Sequence, residues 1–326
     1  MRRRNFIAVL IGSRVPWTRS ALAQPSGKAP RRVGILNPET ASVAPVPAFV
    51  EELRSLLGTR EAPDIILDIR SAEGRYESVP HLASELVRAG AELIYTVGPD
   101  ATMAAFSATK TIPIVAIDLE SDPIAIGFVE TLGRPGRNVT GMFLDLPELA
   151  GKWIELLGEI TPSLSRVAVL GNPKINGPQF TATEAAARAA QIVVRRLEVQ
   201  DSDGFDRVFE TAAKEGVGGV VVLPSPLVLH HRSKIAGLAG RNRLPTIFLF
   251  AQAAEAGGLL AYGPSVVDMS KRAATLAAKI LNGAPVASLP IERPTTFVLV
   301  INLKTAKALN LSIPPTLLAR ADEVIE

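Results

Sequence analysis

The 326-residue sequence contains no cysteine, only three histidines and few aromatic residues. The absence of cysteine excludes disulfides and thiolate chemistry. Two of the histidines, His230 and His231, are adjacent at the start of a predicted helix, where neighbouring side chains point in different directions. Such a pair does not favour a shared metal ion, so we predict no metal site.

Motifs of common enzyme and nucleotide sites are also missing. The sequence has no Walker loop, no nucleophile elbow and no His-Glu-x-x-His helix. Its acidic residues show no spacing typical of a general acid and base pair. Beyond the N-terminal segment, no apolar run reaches the roughly 18 residues that a membrane-spanning helix requires. We predict a ligand-binding protein without catalysis or cofactor that does not span a membrane.

The net charge of +3 and the pI near 9.3 come from one short segment. Residues 1–23 contain five arginines and no acidic residue, so the remaining chain carries 30 basic and 32 acidic residues. A nearly neutral remainder gives no basic surface for nucleic acid, which we exclude as a partner.

The arginine-rich segment has the composition of an export signal. Residues 3–7, RRNFI, are similar to a twin-arginine motif, and an apolar stretch and the small-residue site Ala21-Leu22-Ala23 follow. We predict a signal peptide over 1–23 that is cleaved near Ala23 and directs the protein to the periplasm.

The remaining chain is long enough for two domains and contains the same pattern twice. Residues 33–38, VGILNP, and 167–173, VAVLGNP, are apolar runs that end in Asn-Pro, as expected for strands buried on both faces. Further apolar runs follow, and the segments between them have apolar residues at helical spacing. This alternation predicts parallel βαβ units. The predicted strands are 32–36, 65–69, 93–97 and 114–117, then 166–170, 193–199, 219–223 and 246–250. The predicted helices of the second half are 177–190, 204–215 and 228–240.

Glycine and proline at 132–141 favour turns, and we interpret this segment as the approach to a hinge. After residue 250 the pattern changes to a short apolar run at 258–262, an amphipathic helix at 266–281 and a single strand at 296–301. Three crossings between two lobes, near 141, 260 and 290, would explain this change. We predict one lobe from 31–140 plus 262–288 and a second from 141–261 plus 289–326.

Several segments together resemble the ABC-transporter substrate-binding protein family of the tryptophan-binding-like type. They are RRNFI at 3–7, AEGRY at 72–76, LGRPGRNVTG at 132–141, EAGGL at 255–259 and VINLKTAKAL at 300–309. The resemblance implies the type I periplasmic binding protein fold, which is α/β with two doubly wound parallel-sheet lobes joined by a three-strand hinge. It also implies delivery of a small ligand, for some relatives an aromatic amino acid, to a membrane permease driven by an ATPase.

In doubly wound sheets, ligands bind beyond the carboxyl ends of the strands, so the loops there supply the candidate residues. Gly98, Asp100 and Thr102 follow the third strand, at a helix start whose free N–H groups suit a carboxylate. Helix capping is the alternative role of Asp100 and Thr102. Asp118 and Asp122 follow the fourth strand and are candidates to bind an ammonium group, although Asp122 also suits a turn.

The other candidates are amide, hydroxyl and aromatic side chains near strand ends. Asn37 and Asn172 occupy equivalent places in the two halves and either bind the ligand or form turns. The aromatic residues Tyr76, Phe250 and Tyr262 suit stacking on a planar ligand, with core filling as the alternative. Ser225 either contacts the ligand or caps the next helix.

The first hypothesis is a periplasmic solute-binding component of an ABC importer, with an amino-acid-like or aromatic carboxylate ligand in the cleft between the lobes. It would act as a monomer and pass the ligand to an ABC permease in the inner membrane. Two alternatives stay open: an exported cleft enzyme, either a hydrolase or an isomerase, and a ligand-sensing subunit of a membrane receptor.

Overall fold

The computed structural model describes residues 30–40, 45–58, 65–144 and 146–326. The predicted signal peptide lies outside these residues. Within the described part of the chain, no helix is both long and apolar enough to cross a membrane.

The first sheet has five parallel strands in the order β2-β1-β3-β4-β5. They are β1 (Arg31–Asn37), β2 (Ile65–Ser71), β3 (Leu93–Val97), β4 (Ile114–Asp118) and β5 (Val139–Phe143). Every residue of β4 and β5 is buried. This burial explains their continuous apolar sequence, because helices cover both faces of a parallel sheet.

The second sheet has seven strands in the order β12-β11-β10-β9-β8-β6-β7. They are β6 (Arg166–Gly171), β7 (Val193–Glu198), β8 (Val220–Val222), β9 (Thr246–Phe248), β10 (Leu260–Pro264), β11 (Phe297–Asn302) and β12 (Glu323–Ile325). All neighbours pair in parallel except β10 and β11, which are antiparallel.

Helices pack on both faces of each sheet. The helices of the first half are α1 (Val46–Leu56), α2 (Val79–Arg88) and α3 (Gly98–Ala108). Those of the second half are α4 (Ala150–Ile160), α5 (Gly177–Ala189), α6 (Gly204–Lys214), α7 (Pro226–His230), α8 (Arg232–Arg241), α9 (Ala251–Glu255), α10 (Val266–Leu281), α11 (Leu303–Ala308) and α12 (Pro315–Leu318). Helix α10 packs against α1 and the first sheet, although β10 and β11 on either side of it belong to the second sheet. We call each sheet with its helices a lobe.

The eight strands predicted for the two halves are all present, and helix α10 has the predicted bounds. The interpretation of 132–141 as turns is wrong for its last three residues, because Val139–Phe143 forms the buried strand β5. The predicted helix at 228–240 is two helices, α7 and α8, with His231 between them. The single strand at 296–301 corresponds to β11, which pairs with both β10 and β12.

The chain leaves the first sheet after Phe143, returns to the first lobe after Pro264, and re-enters the second sheet at Phe297. Near these passages, the backbone N–H of Glu292 donates to the carbonyl of Gly141 over 2.9 Å. The Trp153 indole N–H donates to the carbonyl of Tyr262 over 2.9 Å. We propose lobe boundaries at these passages, a few residues from the predicted ones.

Strand β5 approaches β4 so closely that only glycine fits at position 141. Gly141 has a φ of +142°, and a Cβ added there would lie 2.0 Å from the carbonyl oxygen of Ala116. Because both atoms of the clash belong to buried strands, a small side-chain movement does not relieve it. Gly141, which suggested a turn in the sequence, therefore permits the close contact between β4 and β5.

We predict that Gly141→Ala lowers the free energy of unfolding by about 3 kcal/mol, because it combines overpacking with an unfavourable backbone conformation. The midpoint of urea denaturation measures this loss. Gly133→Ala is the matched control, since an added Cβ there has no atom within 4 Å. Equal midpoints for the two variants would contradict the close-contact explanation.

Candidate ligand-binding site

A cavity of about 270 Å³ lies between the two lobes, at the carboxyl ends of their strands. The first lobe contributes loops that follow β1, β3 and β4 and the segment around Tyr76. The second lobe contributes residues that follow β8 and β9. This position agrees with the general rule for open parallel sheets.

Six of the predicted site residues line this cavity: Asn37, Tyr76, Gly98, Asp100, Ser225 and Phe250. Asn37 ends β1 and is 1% exposed. Its Oδ1 accepts the backbone N–H of Glu39 over 3.3 Å, whereas its Nδ2 has no hydrogen-bond partner in the described structure. A donor is thus buried in the cavity wall and available to a ligand.

Gly98 brings the backbone to the cavity where β3 turns into α3. Its φ of +81° is in the left-handed region that glycine adopts most easily. Pro99 and Asp100 follow in the first turn of α3. Burial raises the pKa of the Asp100 carboxyl above its ordinary value.

The other five predicted residues do not line the cavity. Thr102 is buried and holds α3 against β3, because its hydroxyl donates to the carbonyl of Gly98 over 2.8 Å and pairs with the Thr96 hydroxyl. Asp118 is fully buried behind the wall, where its Oδ1 accepts the backbone N–H groups of Glu120 and Ser121.

Asp122, Asn172 and Tyr262 have local structural contacts. Asp122 accepts the backbone N–H groups of Ile124 and Ala125, which is the turn role considered for it. Asn172 accepts the backbone N–H of Lys174 over 3.0 Å in the turn after β6. Tyr262 lies on β10 and its ring stacks on Phe297, with ring centroids 5.9 Å apart.

Three carboxylates form what we call the acidic wall of the cavity: Glu39, Asp100 and Glu120. They follow β1, β3 and β4, which are adjacent in the sheet. Burial, together with the negative charges of Asp118 and Asp100, raises the pKa of Glu120 to about 8. The Oε2 atom of Glu120 is buried, and no group in the described structure hydrogen-bonds to it.

Tyr76 lies next to the acidic wall, and its hydroxyl donates to the Glu39 carboxylate. Burial, this hydrogen bond and the negative charges of Glu39, Asp100 and Glu120 raise the pKa of the phenol. The three acidic side chains thus act on one region of the cavity, around the tyrosine hydroxyl.

The wall from the second lobe contains Ser225, Phe250, Gln252 and Arg232. The Ser225 hydroxyl accepts the backbone N–H of Val228 over 3.2 Å and so caps α7, which was the alternative role considered for it. Arg232 begins α8 and donates to the carbonyl of Leu229 over 2.8 Å. Within the described residues Arg232 forms no salt bridge with a carboxylate, and it lines the same cavity as the acidic wall.

The sequence analysis missed Glu39, Glu120, Arg232 and Gln252. Glu39 and Glu120 each lie two residues beyond a predicted candidate, Asn37 and Asp118, so the loops were identified but the side chains were not. Arg232 carried no such signal, because it lies within the predicted single helix at 228–240. Only the break between α7 and α8 shows it as a helix start.

Comparisons with known proteins agree with this architecture. A family model described as ABC transporter substrate binding protein matches residues 47–325. A tyrosine-binding protein of Clostridioides difficile (strain R20291) is 26% identical over 261 residues, which are 78% of this chain and 73% of that protein.

Two solved structures illustrate the similarity of fold. One is an ABC domain in complex with L-Trp from Streptococcus pneumonia, with a TM-score of 0.80 and 22% identity, covering 91% of this chain and 100% of that one. The other is the ligand-free, open structure of a substrate-binding protein with adhesive properties from Clostridium difficile. Its TM-score is 0.70 at 24% identity, and the match covers 90% of this chain and 99% of that one.

The fold is therefore that of the type I periplasmic binding proteins, with two lobes built on parallel-dominated sheets. The family match extends over most of the chain, from α1 to β12, and includes the cavity-lining residues that follow β3, β4, β8 and β9. The chain belongs to the ABC transporter substrate-binding protein family.

Proposed function

We propose that this protein is the solute-binding component of an ABC importer and binds a small amino-acid-like or aromatic carboxylate solute in the cavity between its lobes. The observation that carries the proposal is the opposite charge of the two cavity walls. Three carboxylates line the first lobe, and the guanidinium of Arg232 lies on the second.

A zwitterionic α-amino acid complements these walls. Its ammonium group would pair with Asp100 or Glu120, and its carboxylate would pair with Arg232 by charge-assisted hydrogen bonds. The rest of the cavity is mostly apolar, with Tyr76 and Phe250 available for contact with a planar side chain. A tyrosine-binding relative and a neighbour with bound L-Trp support this ligand class.

The mechanism that we propose is closure of the lobes around the solute. A ligand that contacts both walls makes all of its contacts only when the lobes are close together, so binding shifts the population towards the closed form. The lobes meet beside the cavity, where a Cβ added to Gly74 would lie 3.5 Å from Nδ1 of His230. The closed form would then dock as a monomer on an ABC permease and release the solute unchanged.

Family membership implies a small-molecule ligand and a transporter partner. We propose a periplasmic location, in accordance with the arginine-rich segment at 1–23. Expression with and without this segment, followed by cell fractionation, tests the location. We expect the mature protein in the periplasmic fraction when the segment is present and in the cytoplasmic fraction when it is removed.

The ligand class is tested by a thermal-shift screen of the twenty amino acids and a set of aromatic acids. A ligand present at about 100 times its Kd stabilises the folded protein by about 2.7 kcal/mol, which gives a clear rise in Tm. Chromatography of the bound ligand should recover it chemically unchanged. A screen without any stabilising ligand, or recovery of a converted product, would refute the proposal.

Replacement of Arg232 tests the orientation of the ligand. We predict that Arg232→Met weakens binding of L-tyrosine by about 10- to 100-fold, because one charge-assisted contact is lost, and leaves binding of tyramine nearly unchanged. Isothermal titration calorimetry measures both affinities. Arg241→Met, at the exposed end of the same helix, is the control and should change neither. An equal loss for tyrosine and tyramine would show that Arg232 does not bind the carboxylate.

Glu120 should make stability depend on pH. Its pKa is about 8 in the folded protein against an ordinary value of 4.5, so between these values the folded state holds a proton that the unfolded state has released. The free energy of unfolding contributed by this group therefore falls as the pH rises from 4.5 to 8.

We predict that Glu120→Gln makes the unfolding free energy less dependent on pH in this window and raises stability near pH 8. Denaturant titrations at several pH values without ligand measure the slope. Glu92→Gln, an exposed position before β3, should keep the wild-type slope. A slope for Glu120→Gln as steep as that of the wild type would contradict the assignment.

A further inference from the structure

The negative charge of the cavity exceeds what a single ammonium group balances. Glu39, Asp100 and Glu120 line the cavity, and the buried carboxylate of Asp118 lies directly behind Glu120. Within the described part of the chain, none of these four groups forms an ion pair with lysine or arginine. If Arg232 binds the carboxylate of a zwitterion and Asp100 binds its ammonium group, Glu39 has no cationic partner even when Glu120 is protonated.

Unpartnered polar atoms in the wall are a separate sign of a ligand. Asn37 is 1% exposed, lines the cavity, and has an Nδ2 atom without a hydrogen-bond partner in the described structure. Oε2 of Glu120 is buried and likewise unpartnered. Buried polar atoms normally have a partner, so both atoms indicate that ligand atoms occupy this part of the cavity.

Glu120 carries a proton below about pH 8 in the ligand-free protein. A protonated carboxyl, however, must donate its hydrogen to an acceptor when it is buried. An ammonium or guanidinium group on a ligand satisfies the acidic wall more fully, because it supplies several donors together with the opposite charge.

A second cation could bind between Glu39 and Tyr76. Asp100 and Glu120 line the same cavity, and the negative charge of Asp100 helps to raise the pKa of Glu120. This pair of carboxyl groups suits the α-ammonium group of the ligand. Glu39 follows the adjacent strand β1, on the side where Tyr76 contacts it. A cation there would meet a carboxylate and the face or edge of an aromatic ring, which is a favourable environment for ammonium and guanidinium groups.

We propose that the solute carries a second cationic group in addition to its α-ammonium group, and that Glu39 and Tyr76 bind it. The preferred ligand is then a net-positive amino-acid-like molecule with an ammonium or guanidinium group on an apolar stem. The inference rests on the proposed function, because it assumes that the cavity binds an amino-acid-like solute.

A series of ligands of similar shape tests the charge preference. Calorimetry compares L-phenylalanine, para-(aminomethyl)-L-phenylalanine and para-carboxy-L-phenylalanine, whose side chains are neutral, cationic and anionic. We expect the cationic ligand to bind about tenfold more tightly than phenylalanine, the anionic ligand to bind most weakly, and the difference to shrink at high salt.

Two variants identify the residues responsible. Glu39→Gln should remove the preference, so that the cationic ligand and phenylalanine bind the variant with similar affinities. Tyr76→Phe, which keeps the ring but loses the hydroxyl, is a second and less disruptive variant and should reduce the preference partly. Glu92→Gln, an exposed site of the same lobe away from the cavity, should keep it, and a Tm measurement checks that each variant folds.

The outcomes separate this inference from the proposed function. If phenylalanine binds and the cationic ligand binds no more tightly, the inference is overturned and the proposed function stands. A preference that survives Glu39→Gln also overturns it, because another group would then bind the cation. If none of the three ligands binds, the inference fails, and the amino-acid screen decides the proposed function separately.

Discussion

The carboxyl ends of parallel strands in two separate sheets point towards one shared space, and the cavity between the lobes depends on this arrangement. Parallel pairing brings the loops after β1, β3 and β4 to one edge of the first sheet. Residues after β8 and β9 in the second sheet complete the cavity. No single loop makes the site, so its geometry is set by the distance and angle between the lobes. A change in that distance assembles or separates the two walls.

The acidic and basic side chains that line the cavity come from different lobes. The first lobe presents carboxylates whose pKa values are raised by burial, and the second presents a guanidinium. Burial disfavours the charged forms of Asp100 and Glu120, which is why their pKa values are raised. In the proposed function, a cationic group of the ligand would stabilise these charged forms.

The connections between the lobes are closely packed and hydrogen-bonded to one another. Helix α10 belongs to the first lobe by its packing, whereas the strands on both sides of it belong to the second sheet. Gly141 allows β5 to lie against β4 at the point where the chain leaves the first lobe. The backbone of Glu292 hydrogen-bonds to Gly141 from another passage, so the passages are tied to one another.

Local patterns were enough to predict the first four strands of each half, most helices of the second half, the tandem α/β arrangement and the loops that reach the cavity, because strand periodicity and the position of strand ends are local properties. Asn37, Asp100 and Phe250 were found in this way. The three-dimensional fold was needed to show which side chain of each loop lines the cavity: Glu120 lines it and Asp118 lies behind. It also showed that Arg232 of a distant helix lines the same cavity and that 139–143 is a strand. These features depend on side-chain direction and on contacts between segments far apart in the chain, which local patterns do not contain.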